Sequence, residues 1–138
     1  MSGFLKISEA AVLAFHAMVA IASQEDRMVT NAEIASSLSA SEAHLSKVLQ
    51  RLAKAGYVKS IRGPHGGFVL GKNAEEITLR DIYELFEGNM THNVCLLETP
   101  VCGNNCVFGE LLTEINDMVS EYMANTRLND VLAKKGRK

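Results

Sequence analysis

From Ser8 to Ala22 the chain is apolar at most positions, with Ala11, Val12, Leu13, Phe15, Met18, Val19, Ile21 and Ala22 interrupted by His16. A helix that is hydrophobic nearly all round is buried on two sides. One side is expected to face this chain's own core and the other a partner chain. Polar residues 24–28 predict a loop. Thr30-Asn31-Ala32-Glu33 then fits a capping box, Thr30 as N-cap and Glu33 reaching back. It opens a short helix, Asn31 to Leu38, that buries Ile34, Ala35 and Leu38. Ser39-Ala40 is a tight turn. From Ser41 to Ala55 the apolar residues Leu45, Val48, Leu49 and Leu52 recur at helical spacing, with Ser41 as N-cap and Gly56 as the stop. The other face carries His44, Lys47, Gln50, Arg51 and Lys54. Tyr57–Ile61 and Phe68–Leu70 read as short strands around a glycine-rich turn, Arg62-Gly63-Pro64-His65-Gly66-Gly67.

A polar connection, Asn73 to Ile77, leads to a helix from Thr78 to Glu87 that Gly88 ends. A loop follows to Asn105. Val107 to Ala124 then predicts a long amphipathic helix, its stripe formed by Phe108, Leu111, Leu112, Ile115, Met118, Val119, Tyr122 and Met123. Its other face is acidic, with Glu110, Glu114, Asp117 and Glu121. Asn125 to Leu132 suits a short final helix before a basic tail. The implied fold class is mainly α with a small β-hairpin. Residues 1–88 form a winged helix-turn-helix, 89–106 a cysteine loop, and 107–138 a long C-terminal dimerisation helix and tail.

Charge adds a direction to this pattern. Residues 41–72 hold six Lys or Arg against one acid, while 1–40 net −2 and 73–138 net −5, so a chain of net charge −2 gathers its positive charge in one segment. That is the footprint of contact with a phosphate backbone. The Ser41 helix is expected in the major groove of double-stranded operator DNA, with Ser41, His44, Lys47 and Arg51 toward bases and phosphates. Lys59, Arg62, Gly63, His65 and Gly66 belong to the wing, with Arg62 placed to enter the minor groove. Hydrophobic content of 47% suffices for a core, but 6% aromatic and no Trp make it one of aliphatic side chains and Met. No apolar run reaches membrane-spanning length and no leader pattern opens the chain, so the expected home is the cytoplasm, with no membrane partner. No nucleophile–base pair stands at recognisable spacing, and GPHGG lies between strands without the helix a phosphate loop needs, so an enzyme is not expected.

The three cysteines fall in one loop, at 95, 102 and 106. Pro100 and Gly103 let the chain curl so that three thiolates can converge. Thiolates are soft ligands that suit an iron–sulfur cluster or zinc. A fourth ligand would come from His16, Glu9, His92, Glu110 or a small molecule. Cys106, at the start of the expected long helix, would have its thiolate favoured by the helix dipole. A reversible disulfide switch between Cys102 and Cys106, without a cluster, is the alternative.

The run LSKVLQRLAKAGYVKSIRGPHGGFVLGKNAEEITLRDIYELFEG, followed by three clustered cysteines and a long helix, resembles the Rrf2 family of bacterial regulators, of the IscR and NsrR type. RGPHGGF, Arg62 to Phe68, is the most specific part, and the cysteine triplet the second. The resemblance implies a homodimeric winged-helix transcription factor. It implies a [2Fe–2S] or [4Fe–4S] cluster on Cys95, Cys102 and Cys106, sensing iron, nitric oxide or redox state. It puts Ser41, His44 and Lys47 near bases and Arg62 in the minor groove. Two departures stand out. The last cysteine interval is shorter than in the best-known members, and the position of the histidine ligand of the IscR type is Gly109 here. Some relatives recruit a ligand from the first helix instead, where His16 stands.

Overall fold

The computed structural model describes residues 7–90, 97, 99, 101–103 and 105–135. Helix α1 (Glu9–Ala22) begins at Ser8, whose hydroxyl accepts from the Ala11 N–H. It is the central helix, packed against α2, α3, α4 and α6. Ala11, Ala14 and Ala17 are fully buried, and such small side chains let neighbouring helices approach closely.

Helix α2 (Asn31–Leu38) has the expected Thr30 cap, whose side chain accepts from the Glu33 N–H. The Glu33 carboxylate, expected to reach back to Thr30, goes instead to Arg27 at 3.0 Å, an ion pair open to it because the preceding loop folds alongside. Ser39 turns the chain in the left-handed region, φ 51°, and α3 (Glu42–Lys54) follows. The two helix starts are tied together, since Asn31 Nδ2 donates to the Glu42 carbonyl at 3.0 Å. Leu45, Val48, Leu49 and Leu52 of α3 are buried, as the periodicity predicts.

Strands β1 (Val58–Ile61) and β2 (Gly67–Leu70) pair antiparallel, Val58 opposite Leu70 and Ile61 opposite Gly67. A third, single-residue partner was not foreseen. Val29 and Phe68 exchange both backbone hydrogen bonds, at 3.0 and 2.8 Å, and stitch the wing to the segment before α2. The expected polar connection contains a 3₁₀ turn, Ala74–Glu76, and Ile77 beyond it is buried.

Helix α4 (Leu79–Glu87) has a complete capping box between Thr78 and Asp81 and stops at Gly88, φ 84°. Helix α5 (Leu111–Asn125) is shorter than the expected 107–124. Gly109 takes φ +60°, a left-handed conformation that interrupts α-helical backbone, so residues 107–110 are turns. Cys106 consequently lies ahead of those turns rather than at the helix start. Helix α6 (Leu128–Lys135) extends beyond the expected limit, and Lys134, expected in the tail, lies within it. Leu128 is buried in the same core as α1 and Ile77, and its N–H donates to the Ile77 carbonyl at 2.8 Å. No helix among the described residues is long and apolar enough to cross a membrane.

Candidate nucleic-acid interface

With four leucine and valine side chains turned inward, α3 has one strip left for a ligand. Ala43, Lys47, Gln50 and Lys54 are exposed along it. Neither Lys47 nor Lys54 forms an ion pair among the described residues, so both ammonium groups stay in water, available to an anion. Ser41 is exposed at the helix start, and its hydroxyl accepts the His44 N–H at 3.3 Å. The other two candidates, half-buried His44 and exposed Arg51, each have a contact on the domain itself. His44 Nδ1 lies 3.9 Å from a Glu9 carboxylate oxygen. The Arg51 guanidinium stands 5.0 Å from the centre of the Phe86 ring on α4.

The wing exposes Lys59, Arg62, Gly63, Pro64 and His65 to solvent. Its tip is a tight turn in which the Gly66 N–H donates to the Gly63 carbonyl at 3.0 Å. Gly66 is required by close approach, since a Cβ there would run into the Ile61 carbonyl. Gly63, φ +123°, is required by conformation. Lys72 folds back over the Tyr57 ring at 4.6 Å, so it braces the base of the wing. Burial, with Asp81 and Glu84 nearby, holds the Tyr57 hydroxyl above its ordinary pKa and keeps it neutral.

The exposed cations on α3 and the wing leave a basic surface with no acid of their own elements beyond Glu42. A bifurcated arrangement of this kind, a helix plus a stiff hairpin, fits one groove and its neighbour.

Cys102 and Cys106 are free and half-buried. Each opens a turn, the Asn105 N–H donating to the Cys102 carbonyl and the Gly109 N–H to the Cys106 carbonyl, both at 3.0 Å. Cys95 and His92 lie outside the described residues. Among the described residues no three His, Cys, Asp or Glu side chains converge on one point. His16 is exposed on α1, its Nδ1 2.8 Å from the Val12 carbonyl, which leaves Nε2 as the lone-pair nitrogen of the neutral ring. It lines an apolar groove of about 610 Å³ with Phe15, Val19, Leu38, Tyr122 and Val131. Glu9 is exposed at the start of α1, 3.9 Å from His44, and Glu110 is exposed just ahead of α5.

Three residues outside the sequence-based site join these parts. Glu84 accepts from Arg80 Nε at 2.8 Å and from the Met90 N–H at 3.3 Å, and those donors, Arg80 foremost, hold its carboxyl below the usual range. Glu87 accepts from the Ser8 N–H at 2.9 Å. Phe86 carries Arg51. The hydrophobic pattern marks Phe86 as apolar but contains no signal for its cationic partner.

Similarity to known proteins agrees with this geometry. Residues 7–134 match the family Rrf2, described as "Iron-dependent Transcriptional regulator". The HTH-type transcriptional regulator NsrR of Bacillus licheniformis is 36% identical over 107 residues, covering 70% of this chain and 73% of that protein. The regulator IscR of Pectobacterium atrosepticum is 31% identical over 118 residues, covering 85% and 71%. The solved structure of CymR, the global cysteine regulator of B. subtilis, superposes with a TM-score of 0.80 at 32% identity, covering 95% of this chain and 98% of that one. With a winged helix-turn-helix and a match along nearly its whole length, the chain belongs to the Rrf2 family and is a transcriptional regulator, not an enzyme.

Proposed function

We propose that the protein is a homodimeric regulator whose affinity for operator DNA is set at Cys95, Cys102 and Cys106 by an iron–sulfur cluster. The observation that carries this is the pairing of free thiols with a free cationic face on one small core. Cys102 and Cys106 are half-buried, unpaired with each other and held on a curled segment, a soft donor set that suits such a cluster. Cys95, Cys102 and Cys106 would hold it, with His16 the candidate for a further ligand. When bound, it would supply sensitivity to iron, nitric oxide or redox state. The chain's own part is to keep thiols accessible, to close turns around them, and to transmit their state.

DNA contact falls to Ser41 and Lys47 on α3 and to Lys59, Arg62, Gly63, His65 and Gly66 on the wing. Lys47→Gln is expected to weaken binding about equally for all sequences and to lower the slope of log K against log salt by about one. Arg62→Ala is expected to cost about 1–3 kcal/mol and to relax preference for a narrow minor groove. Titration of labelled duplexes between low and moderate salt measures both. An unchanged slope in Lys47→Gln would remove that residue from the interface.

A second reading keeps the DNA role and replaces the cluster by a thiol switch. Two free thiols four residues apart favour it, and CymR, a cysteine regulator by its title, shares the fold. Anaerobic purification separates the two. The cluster reading expects a coloured protein with visible absorbance, iron and sulfide. The switch reading expects a colourless protein whose Cys102 and Cys106 lose alkylation together after mild oxidant.

A further inference from the structure

We propose that Arg51 is a positioning residue and not a DNA contact. In this assignment the last turn of α4 clamps the reading helix α3 to the start of the cysteine segment. The inference rests on the reading above and adds the residues that do the transmitting.

Four contacts define the clamp. Arg51 stacks on Phe86, 5.0 Å from guanidinium to ring centre. Two helical turns earlier on the same face of α3, His44 meets Glu9 of α1 at 3.9 Å. The residue beside Glu9, Ser8, donates its N–H to Glu87 at 2.9 Å. Glu84 takes the Met90 N–H at 3.3 Å, where the chain leaves α4 for Cys95. Positions 84, 86 and 87 thus share one helical turn and reach three structures: the cysteine segment, the reading helix and the start of α1.

The base of that turn is fixed. Ile82 is buried, and the Thr78–Asp81 capping box holds the other end of α4. A change in the cysteine segment that pulls on Met90 therefore moves the last turn more readily than the helix as a whole. Phe86 carries such movement to α3 at Arg51. All three α3 cations are exposed, but Lys47 and Lys54 have no ring partner among the described residues, whereas the Arg51 guanidinium has an aromatic face of its own domain. Arginine holds such a stack well, being planar and weakly hydrated.

The test uses the full-length protein and a duplex that the wild type selects from a randomised pool. Its first measurement is the salt slope. Arg51→Gln is expected to keep the wild-type slope whatever it does to affinity, whereas a lost phosphate contact lowers the slope by about one. Its second is the iodoacetamide alkylation rate of Cys102 and Cys106 in reduced, cluster-free protein, with and without duplex. Coupling is reciprocal in binding free energy, and a duplex that shifts the cysteine segment between more and less open states is expected to change those rates, by about fivefold or more if the shift is of typical size. The Phe86→Tyr variant is expected to retain the change and Phe86→Leu to reduce it below about twofold, in line with loss of that coupling.

A slope lowered in Arg51→Gln, or a full rate change in Phe86→Leu, overturns the proposal. So does a wild type that binds duplex with no change in alkylation. A wild type that binds no duplex at all defeats the regulator reading itself. Should Phe86→Leu fail to fold, Arg51→Gln decides by both measurements, with a wild-type slope and a rate change below about twofold expected and a full rate change overturning the proposal.

Discussion

Met118→Glu is expected to convert the protein to a monomer and to weaken operator binding by about 10²–10⁴-fold, the range that two-point attachment ordinarily adds. Met118 sits in the middle of α5 and is 69% exposed. Phe108, Leu111 and Tyr122, spaced along the same stripe, are 44–52% exposed. The far end of α5 is held by its own chain through Met123 and the α6 junction, and α4 packs against α5, yet the stripe stays open. An apolar stripe left open beside an apolar groove is what a monomer avoids and a second copy covers. A carboxylate at its centre would have to be desolvated without a partner, which an interface does not tolerate. Operator half-sites about 34–36 Å apart need two reading helices on one frame. Without the frame each helix binds alone.

Sedimentation should show half the wild-type mass, and the concentration dependence of Tm should vanish. Binding to a single half-site should be unchanged while binding to the full site collapses. A variant that stays dimeric with undiminished affinity would show that α5 is not the interface. The groove lined by Phe15, His16 and Val19 would then need another occupant.

The same helix shows where reading the sequence stops. Its stripe is visible because apolar residues recur every three or four positions, a purely local signal. Its start is not, because Gly109 decides it by a backbone conformation that hydrophobicity does not encode. The buried face of α3 is equally local and legible, whereas the Asp81 carboxylate that completes a box with Thr78 was not read from the sequence. The Thr30 cap was legible only in half. A capping box and an ion pair compete for one carboxylate, and Arg27 is brought near Glu33 by a loop whose path the pattern leaves open. The Val29–Phe68 pairing spans residues far apart in sequence and involves a single position, too short for any alternation to register. Of the candidate site, the cationic residues could be named from the chain. Which of them also touch α1 and α4 could not, since that depends on residues far off in sequence, Glu9 before the helix and Phe86 after it. Lys47 and Arg51 look alike on a helical wheel, yet they differ in what lies opposite.

That difference has a thermodynamic counterpart on the buried side of the same helix. Leu49→Ala is expected to destabilise the protein by about 2–5 kcal/mol. This is a large part of the roughly 5–15 kcal/mol that holds a domain together. Leu49 is fully buried, within the cluster that also contains Met18, Leu45 and Leu52. Removing its branched end leaves a void in that cluster. The alanines at 14 and 17 are fully buried and cannot swell to fill it. Met18, flexible and in the same cluster, can fill part if it repacks, which places the cost nearer the lower half of the range. For a chain of this size about 3 °C or more of Tm is lost per kcal/mol, so a drop on the order of 10 °C is expected. Thermal melting at fixed protein concentration measures it. The slope of operator affinity against salt should stay at the wild-type value, because no phosphate contact is removed from molecules that remain folded. Lys47→Gln should do the reverse, changing the slope and leaving Tm within about 0.5 kcal/mol of wild type. If Leu49→Ala cost less than about 1 kcal/mol, the inner face of α3 would not be the packed seat that holds the helix in register. If it altered the salt slope, the two faces of the helix would not be separable, and the division of labour between leucines inside and lysines outside would fail.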